Sequence, residues 1–291
     1  MDRRTFLKSG LGAAAVGALG SVMDGGLTSL FAEETKKKIP LALQVYSVRE
    51  YASKDLRGTL QEIAKIGYKG VEFAGYYGHD AKDVRRWLDE AGLQAISTHL
   101  GVPALLEGQF EKTAEFEKTL GNKRLIVASG LSASCKTDAG NQMTAYLFNE
   151  IAYKASKVGM QIGFHAHYND FSDVDGKTAW ELFFSRTRED IIAQMDVGNC
   201  MHGGADPYDL VAKLPGRGKL MHVKAENEPD KHGAVVAGPG DIVDWKRMFD
   251  IAENIGGIEW YIIEQEDCRE GSNLMEACAE CFENMKKMGK V

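Results

Sequence analysis

One unit recurs along this chain of 291 residues: an amphipathic helix, a glycine, then a short apolar strand. It is clearest in LQEIAKIGYKGVEFAG, VRRWLDEAGLQAISTHL, IAYKASKVGMQIGFHAH and MFDIAENIGGIEWYIIEQ. Gly67, Gly92, Gly159 and Gly256 stand where a helix C-terminus calls for a left-handed residue. The hydrophobic period changes there from about 3.6 to an unbroken apolar run. The same rule predicts strands near 40–47, 70–75, 94–100, 124–130, 161–167, 191–198, 220–226 and 259–266. It predicts helices near 55–66, 80–91, 109–120, 141–158, 177–187, 206–214, 241–255 and 272–288. Strands this apolar, joined by helices rather than hairpin turns, pair in parallel with both faces covered. Eight alternations with no element left over predict one closed (β/α)8 barrel, a TIM barrel, over 33–291, close to the usual size of about 250 residues.

Residues 1–32 do not belong to that repeat. Arg3-Arg4-Thr5-Phe6-Leu7-Lys8 precedes GLGAAAVGALGSVM, the pattern of a twin-arginine export signal, too short and too rich in Gly and Ala to hold a helix across a bilayer. The expectation is a signal peptide cleaved after Ala32, a periplasmic or otherwise exported protein, and no stable membrane insertion. No Cys follows the apolar run, which excludes a lipid anchor there. A net charge of -7 and a pI near 5.6 supply no basic field for a polyphosphate backbone, so nucleic acid is not an expected partner. Among the five cysteines only Cys278 and Cys281 share a helical offset, and no second Cys or His pair completes a zinc site with them.

Polar side chains at the strand ends carry the chemistry. The carboxyl end of a barrel strand opens into a shared mouth. There the sequence places Gln44 and Tyr46, Glu72, His99, His165 and His167, Asp196 and Asn199, His222, Lys224 and Glu226, and Glu264. One imidazole after a buried strand is commonplace; QIGFHAH, IIAQMDVGN, LMHVKAE and WYIIEQED in succession are hard to explain by packing. His165, Asp196, His222 and Glu264 lie on consecutive strands and can converge on one divalent ion. Their mixed imidazole and carboxylate donors suit Mn, Zn, Co or Fe better than Mg or Ca. His167, two residues from His165 on the same side of an extended strand, competes with it as ligand or contacts substrate. Glu264, Glu72 and Lys224 are the candidate proton-transfer and charge-stabilising groups. Gln44, Tyr46, His99, His167, Asn199 and Glu226 are the candidate substrate contacts, with Glu226 also a candidate ion-pair partner for Lys224. Arg217 begins a strand at the far end from the mouth and reads as a structural anchor, Trp245 and Trp260 as core, and Tyr76 and Tyr77 as sugar-stacking groups or loop packing.

Over about 39–288 the chain resembles the xylose-isomerase-like barrels of the sugar phosphate isomerase and epimerase type, relatives of tagatose and allulose epimerases and inosose dehydratase. The resemblance rests on GYKGVEF, GFHAHYNDF, QMDVGN, GADPYDL, GRGKLMHVK, GPGDIVDW and YIIEQED. It implies metal ligation by Asp196, His222 and Glu264, the last also an acid or base. Where that family usually carries a metal-binding Glu in a Glu-x-His pattern, this chain has His165 followed by His167. One carboxylate of the pair used for two-sided epimerisation is therefore missing. The leading reading is a metal-dependent isomerase or epimerase that removes a proton next to the carbonyl of a sugar or keto sugar. The alternatives are a metal-dependent lyase or hydratase acting on 3-keto glycosides, and a carbohydrate-binding barrel without catalysis. With no GxxxxGK and no Arg cluster, an uncharged carbohydrate is the expected small-molecule partner. Self-association into a homo-oligomer is left open.

Overall fold

The structure is a computed structural model that describes residues 38–129 and 134–291. The export signal and its boundary at 32 fall outside the described residues. Eight parallel strands form the barrel: β1 Leu41–Gln44, β2 Gly70–Phe73, β3 Gln94–Gly101, β4 Arg124–Ser129, β5 Gln161–His165, β6 Ile192–Asp196, β7 Leu220–Val223 and β8 Trp260–Ile263. Each pairs with its chain neighbours, and β1 pairs with β8 to close the ring. The outer helices are α1 Leu56–Ile66, α2 Ala81–Ala91, α3 Phe110–Leu120, α4 Asp138–Ser156, α5 Ala179–Arg186, α6 Pro207–Ala212, α7 Trp245–Ile251 and α8 Leu274–Lys287. The predicted alternation and closure are both present.

Several strands stop earlier than predicted, and the reason is local. The Gln44 side chain accepts the N–H of Tyr46 and turns Val45–Val48 into a 3-10 coil. Asp196 likewise caps the short helix Val197–His202 by accepting from the backbone of Asn199. A polar residue at a strand end thus both faces the mouth and bends the chain away from it. The predicted Gly256 cap is corrected to Gly257. After α7 the chain makes a π turn over Ala252–Gly256, and this extra residue passes the left-handed conformation to Gly257, at φ 74°.

The amino-terminal end of the barrel is plugged by Ala42, Ile96, Ile126, Ile192, Leu220, Trp260 and Ile262, which form a buried cluster of their own. Two glycines make that plug fit. A Cβ on Gly70 would come 2.7 Å from Ile96 Cγ2, and one on Gly163 2.5 Å from Ile126 Cδ1, closer than packed carbons tolerate. Arg217 is buried at this end, its guanidinium donating to the carbonyls of Phe184, Ile191 and Arg188 and to Thr187. It ties α5 and the following loop to β7, as a structural anchor would. Trp245 and Trp260 are core. Cys278 and Cys281 are both buried and free, with burial raising the Cys278 thiol well above its usual range and the Cys281 thiol to about 12. Neither has the electropositive, accessible setting of a redox thiol.

Tyr76 lies inside the wall, its ring between Phe73 and Phe116 and its hydroxyl donating to Glu117 at 2.7 Å. Asn122 donates to the other oxygen at 2.8 Å. Burial pushes the Glu117 carboxyl up to about 7 from its ordinary 4.5. The folded protein therefore holds a proton that the unfolded chain releases between pH 4.5 and 7, and this contribution to stability is lost as pH rises through that window. A shift of that size is worth about 3 kcal/mol. Glu117→Gln presents the same shape without the charge, its amide donating to the Tyr76 oxygen while that hydroxyl turns to Thr98. The variant is expected to melt higher than the unmodified protein at pH 8 and level with it near pH 4.5, as calorimetry across pH would show.

Candidate metal and catalytic site

Above the plug, alternate residues of every strand point inward, and the next layer is polar rather than apolar. Glu72 sits at its centre with no exposed surface. Gln44 donates to it at 2.8 Å, Ser97 at 2.5 Å and Gln194 at 2.7 Å. His222 Nε2 is 2.6 Å away and His99 Nε2 2.9 Å. Burial alone would push this carboxyl up, but the His99 and His222 imidazoles beside it hold it well below the usual carboxylate range.

One layer nearer the mouth, His165, Asp196, His222 and Glu264 bring one ligand atom each within 4.8 Å of one another, all buried. His222 Nδ1 is 2.6 Å from Glu264 and 3.9 Å from Asp196, and His165 Nε2 is 4.0 Å from Asp196. Burial raises the Asp196 carboxyl above its ordinary range, with Glu264 adding to the rise and Lys224 and His222 opposing it. At Glu264 the opposite balance holds: burial would raise it, but His222 and Lys224 bring it well below its ordinary value. Burial drives His165 toward the neutral form, the one that can ligate. Two imidazoles and two carboxylates around one point are a donor set that a divalent ion fits.

The imidazoles are held from below. His165 Nδ1 meets Gln194 Oε1 at 3.0 Å, leaving Nε2 toward Asp196, and Glu72 takes His222 by Nε2, leaving Nδ1 toward Glu264. Such second partners fix ring orientation and tautomer.

The remaining predicted residues divide between mouth and support. His167 and Tyr46 line a cavity of about 410 Å³ together with His99, His165, Glu264 and Glu266. Lys224, Asn199 and Glu226 border an adjoining space of about 270 Å³ that shares Glu264 and Glu266 with the first. The Asn199 amide is turned back on Asp196 at 2.9 Å and on the Ala166 carbonyl at 3.1 Å. Gln44 and Glu72 are sealed beneath the histidines. Lys224 lies 3.9 Å from Asp196, and the carboxylate it pairs with is Glu266, not the predicted Glu226, which instead meets His202. Burial would lower the Lys224 ammonium, but Asp196, Glu264 and Glu266 raise it, so it stays a firm cation.

Sequence reasoning did not single out Ser97, Gln194 and Glu266. Each lies two residues from a residue it did single out: His99, Asp196 and Glu264. The period of two in an extended strand would have found them.

A sequence profile for the xylose isomerase-like TIM barrel matches residues 60–285, and one for the twin-arginine translocation signal matches residues 1–20. The amino terminus thus carries an export signal of that route, and no described helix is long and apolar enough to cross a membrane. An inosose dehydratase of Lacticaseibacillus casei is 25% identical over 252 residues, covering 75% of this chain and 84% of that protein. Among solved structures, a sugar phosphate isomerase/epimerase from Parabacteroides distasonis superposes with a TM-score of 0.76 at 21% identity, over 89% of this chain and 99% of that one. The IOLI protein with a bound zinc atom gives 0.60 at 14% identity, over 86% and 96%.

Proposed function

The chain belongs to the xylose isomerase-like TIM barrel family, a family of isomerases, epimerases and dehydratases, and on that premise we propose that it is a metal-dependent lyase acting on an uncharged keto sugar or keto cyclitol. One observation carries the reading. In the 410 Å³ cavity the carboxylates, Glu264 and Glu266, come from the β8 end alone, while the wall from β3 and β5 presents the imidazoles His99, His165 and His167. Epimerisation through two opposed carboxylates has no second carboxylate on that wall. Elimination needs one base, a stabilised oxyanion and a departing group on the neighbouring carbon.

A divalent ion held by His165, Asp196, His222 and Glu264 would polarise the substrate carbonyl, and the zinc in the IOLI neighbour agrees with that chemistry. Glu264 takes the proton from the carbon next to the carbonyl. The electron pair of that C–H bond forms a C=C bond as the C–O bond on the next carbon breaks, and the leaving oxygen keeps the C–O pair, takes a proton from water and departs as water or an alcohol. Lys224, a fixed cation between Asp196 and Glu266, offsets the negative charge that develops. The linings of both spaces carry one Lys and no Arg, which favours an uncharged substrate over a sugar phosphate. The inosose dehydratase relative points the same way, and the twin-arginine signal supports a site of action after export, which we take to be the periplasm. Isomerisation is the second reading, favoured by the likeness to the Parabacteroides structure; it uses the same base and returns the proton on the same face.

The test is turnover of inososes, ketoses and 3-keto glycosides by metal-loaded protein in deuterated water. The expected result is an unsaturated or dehydrated product, with deuterium entering at one carbon and one face. Rapid interconversion of two epimers, both labelled, with no elimination would overturn the reading.

A further inference from the structure

Helix α4 carries an apolar stripe on its outward face. Met143, Tyr146 and Tyr153 are 69%, 64% and 52% exposed, and with Glu150 and Lys157 they follow the three- and four-residue spacing of a single helix face. What lies beside the stripe says what can cover it. Along its carboxyl half, α4 borders a groove of about 980 Å³ against α3, floored by Leu105, Phe110, Ala114 and Ile151. The lining takes in α4 only from Glu150 onward. The amino half, where Met143 and Tyr146 project, contributes nothing to it. One half of the helix is therefore a knob and the other half borders a hole.

We propose that this face docks a second copy of the chain, the two α4 helices running antiparallel about a two-fold axis near residue 148. That arrangement sets Met143 against the partner's Tyr153 at the groove and Tyr146 against the partner's Glu150, whose carboxylate can accept from the tyrosine hydroxyl. Every contact then occurs twice, as an isologous interface requires. An unrelated apolar segment would fill the groove and leave the knob bare. Lys157, over the Tyr153 ring at one end of the helix, comes opposite the first turn at the other, where Asp138 is paired with Arg186 and can share its second oxygen, and the two helix dipoles oppose. Met143 is unbranched and can adapt to an irregular hole. A stable pair covers roughly 800 Å² per partner, more than one stripe supplies, so the rim from Leu106, 42% exposed, to Glu111 on α3 has to take part. Glu111 already reaches across to Lys154 on α4 at 2.8 Å, holding the groove walls in place.

Light scattering after size exclusion on the exported protein at micromolar concentration is expected to give a dimer mass. Met143→Glu with Tyr153→Glu is expected to weaken association at least a hundredfold, while metal content and cooperative unfolding stay unchanged, because neither residue touches the barrel mouth. Glu150→Cys lies near the axis, so a short bis-maleimide should give a covalent dimer that the unmodified chain, with the same native cysteines, does not. A monomeric unmodified protein would overturn the proposal, as would a dimer that survives the double substitution or a Glu150→Cys protein that does not cross-link.

Discussion

Asp196→Ala is expected to purify as a folded barrel with no divalent ion, where the unmodified protein holds about one per chain. Asp196 lies within reach of both imidazoles, and its removal leaves His165, His222 and Glu264 without the oxygen between them. The cost to the fold is the cap on Val197–His202, about 1 kcal/mol. His222→Ala is also expected to lose the ion, but with a much larger loss of stability. Its Nε2 faces Glu72, a fully buried carboxylate, and stripping that partner leaves a buried charge under-compensated, a cost on the order of 3–5 kcal/mol. Elemental analysis and thermal unfolding on both variants separate the two effects. Full metal occupancy in either would remove the residue from the ligand set.

That difference between Asp196 and His222 also marks where the sequence stops being legible. The barrel was readable because each repeat announces itself: a helix period, a glycine, a buried run. The residues at strand ends were readable because a polar group is out of place there. Depth was not. Glu72 and Glu264 look alike in the sequence, each following an apolar run, yet the first is sealed beneath His99 and His222 while the second borders both spaces of the mouth. Which layer a side chain occupies depends on the stagger of neighbouring strands, including the bulge between Val71 and Glu72 that sets Glu72 level with Ser97. Register across strands leaves no trace in a single chain's periodicity. Lys224 shows the same limit: Glu226 is near it in sequence, but both lie past the end of β7, where the chain leaving β8 brings Glu266 to Lys224 instead.

Depth is what makes Glu264 the second large prediction. Glu264→Gln keeps the shape and one coordinating oxygen but has no basic lone pair for a carbon-bound proton, so turnover is expected to fall about a hundredfold or more while part of the metal remains. The two groups that sequence ranked next to it as proton carriers cannot take over. Glu72 is closed off below the histidine layer, and Lys224 is held as a cation by Asp196 and Glu266, which the substitution leaves in place. Of the other imidazoles and carboxylates lining the same cavity, His99 and His165 are turned onto Glu72 and Gln194. That leaves Glu266, tied up with Lys224, and His167, whose ring stands 4.8 Å from His165 and which burial drives toward the neutral form. Hydrogen exchange at the substrate carbon, measured beside metal content in the same preparation, separates loss of the base from loss of the ion. If exchange persists near its normal rate in metal-loaded Glu264→Gln, the base is His167 or Glu266. A base at His167 would stand on the imidazole wall opposite β8, and proton transfer from both faces would then become available to this site.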